Sequence, residues 1–196
     1  MSPFHRFRLV LEALDDGRVI RTSVARVLRG LAVLFLLGGV YLLVEILKTS
    51  FRLSTEGTIG GLVLATVFAA AVLGVVQIVF YRAREINERE RAPFVVIPIC
   101  SILFRALGEI YATLGIAIAV GGCFYIWFSK LNPFALLGPM HRLFPSISPE
   151  ATFLGGVLFL LNLGLLSFFG LLGFYFLAES VVVMVEIAKN TRHLAK

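Results

Sequence analysis

The chain has 196 residues, of which 59% are apolar and only 15% charged, and its mean hydropathy is +0.93. Soluble domains carry about 25% charged residues, so this composition excludes a soluble globular fold and makes the bilayer the solvent. The net charge of +6 sits at the ends of apolar runs rather than on a separate basic, aromatic-bearing module, which argues against nucleic acid and for contact with anionic lipid headgroups.

Residues 1–22 read as a cytoplasmic amphipathic segment: Phe4, Phe7, Leu11 and Leu14 recur at helical spacing, and Asp15-Asp16-Gly17 makes a turn. Its charges are scattered and no compact apolar run closes on small residues, so a cleaved signal peptide is not expected and the first span serves as its own insertion signal. Four apolar stretches, 28–47, 58–81, 110–128 and 151–178, come close to or exceed the 20 or so helical residues that cross a hydrocarbon core. The predicted fold class is an all-α integral membrane protein with four transmembrane helices, arranged as two tandem hairpins over residues 23–92 and 93–196. Fourteen of the 18 basic residues lie in the amino-terminal segment up to Arg29, around the middle connection or in the tail; Lys48, Arg52, Lys130 and Arg142 are the other four. That bias predicts both termini in the cytoplasm.

In the second span, Gly57, Gly61, Ala65 and Ala69 recur every four residues, and Gly115, Ala119 and Cys123 do so in the third. Such stripes let helix backbones approach closely where no hydrophobic effect drives association, so they predict packing of the second span on the third, or docking of a partner. Residues 93–104, with Pro93 and Pro98, are expected as an interfacial segment, because the 35 residues from Phe94 to Phe128 would rise about 52 Å as one helix against a core of about 30 Å. The span proper then begins at Ile110 and ends in the aromatic run "CFYIWF". This places Arg105 and Glu109 at the cytoplasmic rim, four apart on one helix face. Glu85 and Glu179 emerge at the same level from neighbouring spans, so Arg105, Glu109, Glu85 and Glu179 form a candidate interhelical ion network; independent lipid-facing charges and a proton or ion relay through Glu109 or Glu179 are the other readings.

The external connection, residues 129–150, combines apolar residues with Pro139 and Pro145 and suits an element resting on the outer leaflet or docking a periplasmic partner. Asn162 falls near the middle of the fourth span, where its amide calls for a partner on another helix. Residues 179–196 form a cytoplasmic helical tail.

An offset of 94 residues aligns Ser54–Glu85 with Ser148–Glu179 without a gap, with nine identities in 32 positions clustered at the membrane boundaries. "STEGTIGGLVL" lies over "SPEATFLGGVL", and "FYRARE" over "FYFLAE". A looser match sets Arg29 against Arg105. This internal repeat predicts two hairpins of the same orientation.

Chemistry is sparse. His5, His141 and His193 all lie outside the spans, and Cys100 and Cys123 form no C-x-x-C pair, so neither a haem, a metal centre nor a disulfide framework is expected. No H-E-x-x-H, G-x-S-x-G or P-loop pattern occurs. No catalytic residue and no cofactor are predicted.

The ending "YFLAESVVVMVEIAKNTRHLAK" resembles that of a small family of short bacterial membrane proteins with two spans, whose last helix carries R-x-x-x-E and then an I-A-E-N-like sequence. Glu179 and Ile187-Ala188-Lys189-Asn190 match that pattern, whereas Tyr175 replaces the arginine and R-x-x-x-E appears instead at Arg105 and Glu109. The resemblance implies a bacterial cytoplasmic membrane and a duplicated hairpin, and no activity. The function expected is that of a non-enzymatic accessory, scaffold or assembly subunit, bound to other membrane subunits or to itself. The alternative is a small oligomeric transporter or channel using Asn162, Glu109 and Glu179.

Overall fold

The computed structural model describes residues 17–88, 96–136 and 151–194. Four long helices account for most of them: α1 (Arg18–Ser50), α2 (Thr55–Glu88), α3 (Val96–Ser129) and α4 (Phe153–Leu194), with a short 3-10 turn at Pro133–Ala135. All four are long and apolar enough to cross a membrane, as expected of chains that must satisfy every backbone polar group within lipid. This is a multi-pass, all-helical membrane protein. The amphipathic positions Phe4 to Leu14, residues 93–95 and most of the 129–150 connection lie outside the described residues.

The helices pack in chain order: α1 on α2, α2 on α3, and α3 on α4. Each pair is antiparallel. Along α2 and α3, Gly60 lies by Phe128, Leu64 by Gly121, Gly74 by Thr113 and Arg82 by Glu109, numbers rising on one helix while they fall on the other. Along α3 and α4 the partners are Trp127 with Phe153, Gly122 with Phe159 and Gly108 with Phe174. The result is a row of helices rather than a closed bundle. Burial follows from it: 61% of the most apolar window of α3 is inside, 39% of that of α2, and 17% for each of the outer helices α1 and α4.

Glycine sets the separations. At Gly39 of α1 an added Cβ would lie 2.5 Å from Val72 of α2, and at Gly121 of α3 it would lie 2.7 Å from the Leu64 side chain and 3.1 Å from its Cα. Neither site has room for a methyl group, so these helices touch backbone to side chain. The predicted stripe is buried at Gly57, Gly61 and Ala65 and half-buried at Ala69, while Gly115 and Ala119 are buried in α3. Its direction differs from the expectation in one respect. Gly61 meets Ser50 of α1, and it is Gly60, one residue off the stripe, that receives Phe128 and Tyr125 of α3. A four-residue repeat drifts around a helix of 3.6 residues per turn, so the second span uses neighbouring glycines for its two neighbours.

The turn between α1 and α2 is correspondingly tight. Ser50, fully buried, donates its hydroxyl to Ile46 O at 2.6 Å, and Thr58 Oγ1 donates to Ser50 O at 3.0 Å.

The interfacial segment expected at 93–104 is not a separate element. Val96 opens α3, which runs unbroken for 34 residues, about 51 Å of helix. Pro98 causes no break because it is the third residue of the helix, where the backbone N–H has no intrahelical acceptor to lose. Ile99, Ile102 and Ala106 then carry the buried face of α3 past Arg105.

Overpacking of this kind costs about 1–3 kcal/mol. Gly121→Val is therefore expected to lower the melting temperature of the detergent-solubilised protein by about 2–10 °C, whereas Gly30→Val, with nothing within 4 Å of an added Cβ, should leave it unchanged; circular dichroism melts of the two variants check this.

Candidate functional site: an ion network across three helices

The core of α2 follows a seven-residue repeat. Phe68, Val72, Val75, Val79, Arg82 and Ile86 are all buried, at alternating steps of four and three. Arg82 occupies one of these inward positions, at 9% exposure. An arginine there needs charge and hydrogen bonds at once, and the neighbouring helices supply both.

Its guanidinium faces Glu109 of α3 as a fork: Nε donates to Oε2 at 3.1 Å and Nη2 donates to Oε1. Nη1 donates to Glu85 Oε2 at 2.5 Å, one turn further along α2. Tyr175 of α4 donates its hydroxyl to Glu109 Oε1 at 2.7 Å. Both oxygens of Glu109 are thereby occupied, and one carboxylate joins three helices. Arg105 completes the group: its guanidinium carbon lies 5.8 Å from the centre of the Tyr175 ring, while its Nε is buried without a hydrogen-bond partner. Two arginines and two glutamates balance in charge, and bidentate pairing of this kind is the stronger, directional form of ion pair.

Of the four residues predicted to form the network, Glu109 and Glu85 do so. Arg105 does not ion-pair with Glu109; the fork of Arg82 and the tyrosine hydroxyl take both carboxylate oxygens, and Arg105 lies against the tyrosine ring instead. Glu179 is exposed and has no ion pair among the described residues. It follows Ala178, which is fully buried, so it falls on the outward side of α4. Tyr175, the position where the sequence lacks the arginine of an R-x-x-x-E pair, is recruited to the glutamate of the other such pair.

Measured along α3, Glu109 lies 20 residues before Ser129, a rise of about 30 Å. Tyr175 lies 22 residues after Phe153, about 33 Å along α4. The network thus stands about one hydrocarbon thickness from the far ends of its helices. That far end has its own fastening: Trp127 stacks on Phe153 at 4.8 Å between ring centres and donates Nε1–H to Phe153 O at 2.9 Å.

Three polar residues between these two levels bond within their own helices. Thr66 donates to Leu62 O, Ser167 to Leu163 O and Asn162 to Leu158 O, each within its own helix. Asn162, expected to reach another helix, is exposed on the outside of α4. Asn162 and Glu179 are both exposed, apart from the half-buried Glu109. At this depth there is a recess of about 150 Å³ between α1 and α2, lined by apolar side chains that include Leu34, Phe68 and Val72. Among the described residues no group of three or more His, Cys, Asp or Glu side chains is placed to hold a metal ion.

No family model matches the chain, and neither the curated proteins nor the solved structures include a match to it.

Truncating one member of the network leaves a partly buried charge unpaired, at a cost of about 1.5–3 kcal/mol. Arg82→Met and Glu109→Leu are each expected to destabilise by that amount, and the double variant by clearly less than their sum; a double-mutant cycle from denaturation in mild detergent measures the difference.

Proposed function

We propose that this chain is a non-enzymatic accessory or scaffold subunit of a larger complex, resident in a bacterial cytoplasmic membrane with both termini in the cytoplasm. One observation carries the reading: Thr66, Asn162 and Ser167 at mid-depth each close on their own helix, while the two outer helices leave most of their apolar surface uncovered. A transporter has to present a wetted polar surface near the bilayer midplane. A structural subunit has to present packing faces, and this chain has two of them, one at each end of the row.

The charge-balanced network fits a fastening role. It fixes the relative height of α2, α3 and α4 at the level where helix meets headgroup, and leaves no unpaired carboxylate at Glu109 to carry a proton. The orientation rests on the 14-to-4 distribution of basic residues. The reading of two tandem hairpins rests on the match of Ser54–Glu85 to Ser148–Glu179, and a row of antiparallel helices accommodates it.

Gentle extraction from native membranes followed by native mass measurement tests the role: the chain is expected in an assembly with at least one other polypeptide, and a lone chain would refute the subunit reading. Proton and potassium flux into reconstituted vesicles should not exceed that of protein-free vesicles, and Glu109→Gln should not change it. Flux that this variant abolishes would favour transport instead.

A further inference from the structure

Arg105 makes no hydrogen bond and no ion pair with any described residue, and its buried Nε–H has no acceptor. The nearby carboxylates are already engaged: the oxygens of Glu109 receive Arg82 and Tyr175, and Glu85 receives Arg82. Arg105 therefore offsets the remaining negative charge of these glutamates through space and spends no donor on them. Water cannot reach the buried Nε, so the shortfall has to be met from outside the chain, at the terminal nitrogens. The Tyr175 ring, 5.8 Å from the guanidinium carbon, restrains that group before any ligand arrives.

We propose that Arg105 holds the phosphate of an anionic phospholipid, whose acyl chains run along α3 toward the far end of the helix. A guanidinium fork matches two phosphate oxygens, and it stays charged at every physiological pH. Depth favours a lipid as the source of that phosphate. Gly39 of α1 meets Val72 of α2, and ten residues on from the first contact toward the amino terminus, and from the second toward the carboxyl terminus, stand Arg29 and Arg82. Lys48 follows Arg29 by 19 residues, about 28 Å of helix, so the charges of α1 bracket one hydrocarbon thickness and place the network at its edge. Below Arg105 on the same face of α3 come Ala112, two turns on and buried, and Ile116, three turns on and 51% exposed. The small residue lowers the floor of the track and the exposed one lines it, over about 16 Å of rise.

The inference stands apart from the subunit role, which is read by co-extraction of a different polypeptide, whereas the lipid is read on the purified chain alone. Native mass measurement of that chain, in non-ionic detergent with equal amounts of phosphatidylglycerol and phosphatidylcholine of the same acyl length, is expected to show phosphatidylglycerol retained in preference. Arg105→Gln should reduce its retention about tenfold. Arg105→Lys, which keeps the charge and loses the fork, should fall between the two. Arg29→Gln removes an exposed arginine at the same level and should leave retention within about twofold of the unaltered chain. Phosphatidylglycerol should also raise the melting temperature of the unaltered chain and not that of Arg105→Gln, and the same circular dichroism melts establish that each variant is folded. A large excess of inorganic phosphate should leave the lipid in place. Equal retention of the two lipids, an equal loss from Arg29→Gln, or displacement by inorganic phosphate overturns the proposal.

Discussion

The grip of Arg82 on Glu109 is the interaction on which the relative placement of the helices depends. Apolar helices in lipid slide past one another at little cost, because hydrocarbon solvates a leucine as well as another leucine does. A guanidinium fork on a carboxylate removes that freedom, since its two parallel bonds are lost together if either helix moves by one residue. Tyr175 extends the constraint to α4 through the same carboxylate, so a single glutamate sets the height of three helices.

The glycines complete what the ion network begins. Close approach at Gly39, Gly60 and Gly121 brings the helices near enough for dispersion forces to act over their whole length. The aromatic stack of Trp127 on Phe153 fixes the opposite end. Two polar fastenings about 30 Å apart, joined by tightly packed glycine-rich helix, describe the core formed by α2, α3 and α4.

Much of this was legible in the sequence. Four long apolar helices and their rough limits follow from apolar run length alone, and charge placement singles out Glu85 and Glu109. The arginine was assigned to the wrong helix for an identifiable reason. Arg105 and Glu109 are four apart in sequence, and that spacing shows that two residues share a face without showing what else competes for them. The signal for Arg82 lay in α2 itself: steps of four and three from Phe68 through Val72, Val75 and Val79 arrive at Arg82, marking it as inward-facing, whereas Arg84 two residues later is outward and pairs with Glu88. Tyr175 was visible only as a missing arginine, because a hydroxyl that donates across helices leaves no periodic trace. The proline at 98 misled in the other direction, since its effect depends on whether it falls inside a helix or in its first turn.

The row arrangement has a consequence for how the protein is made. Among the described residues every extensive contact between helices joins one to the helix synthesised immediately before it, so no late span among them has to find an early one across a crowded translocation site. Each new span can settle against its predecessor as soon as it enters the lipid. The growing edge is always the newest helix, and α4, packed on α3 alone among the described helices, keeps one side open at the end of the row.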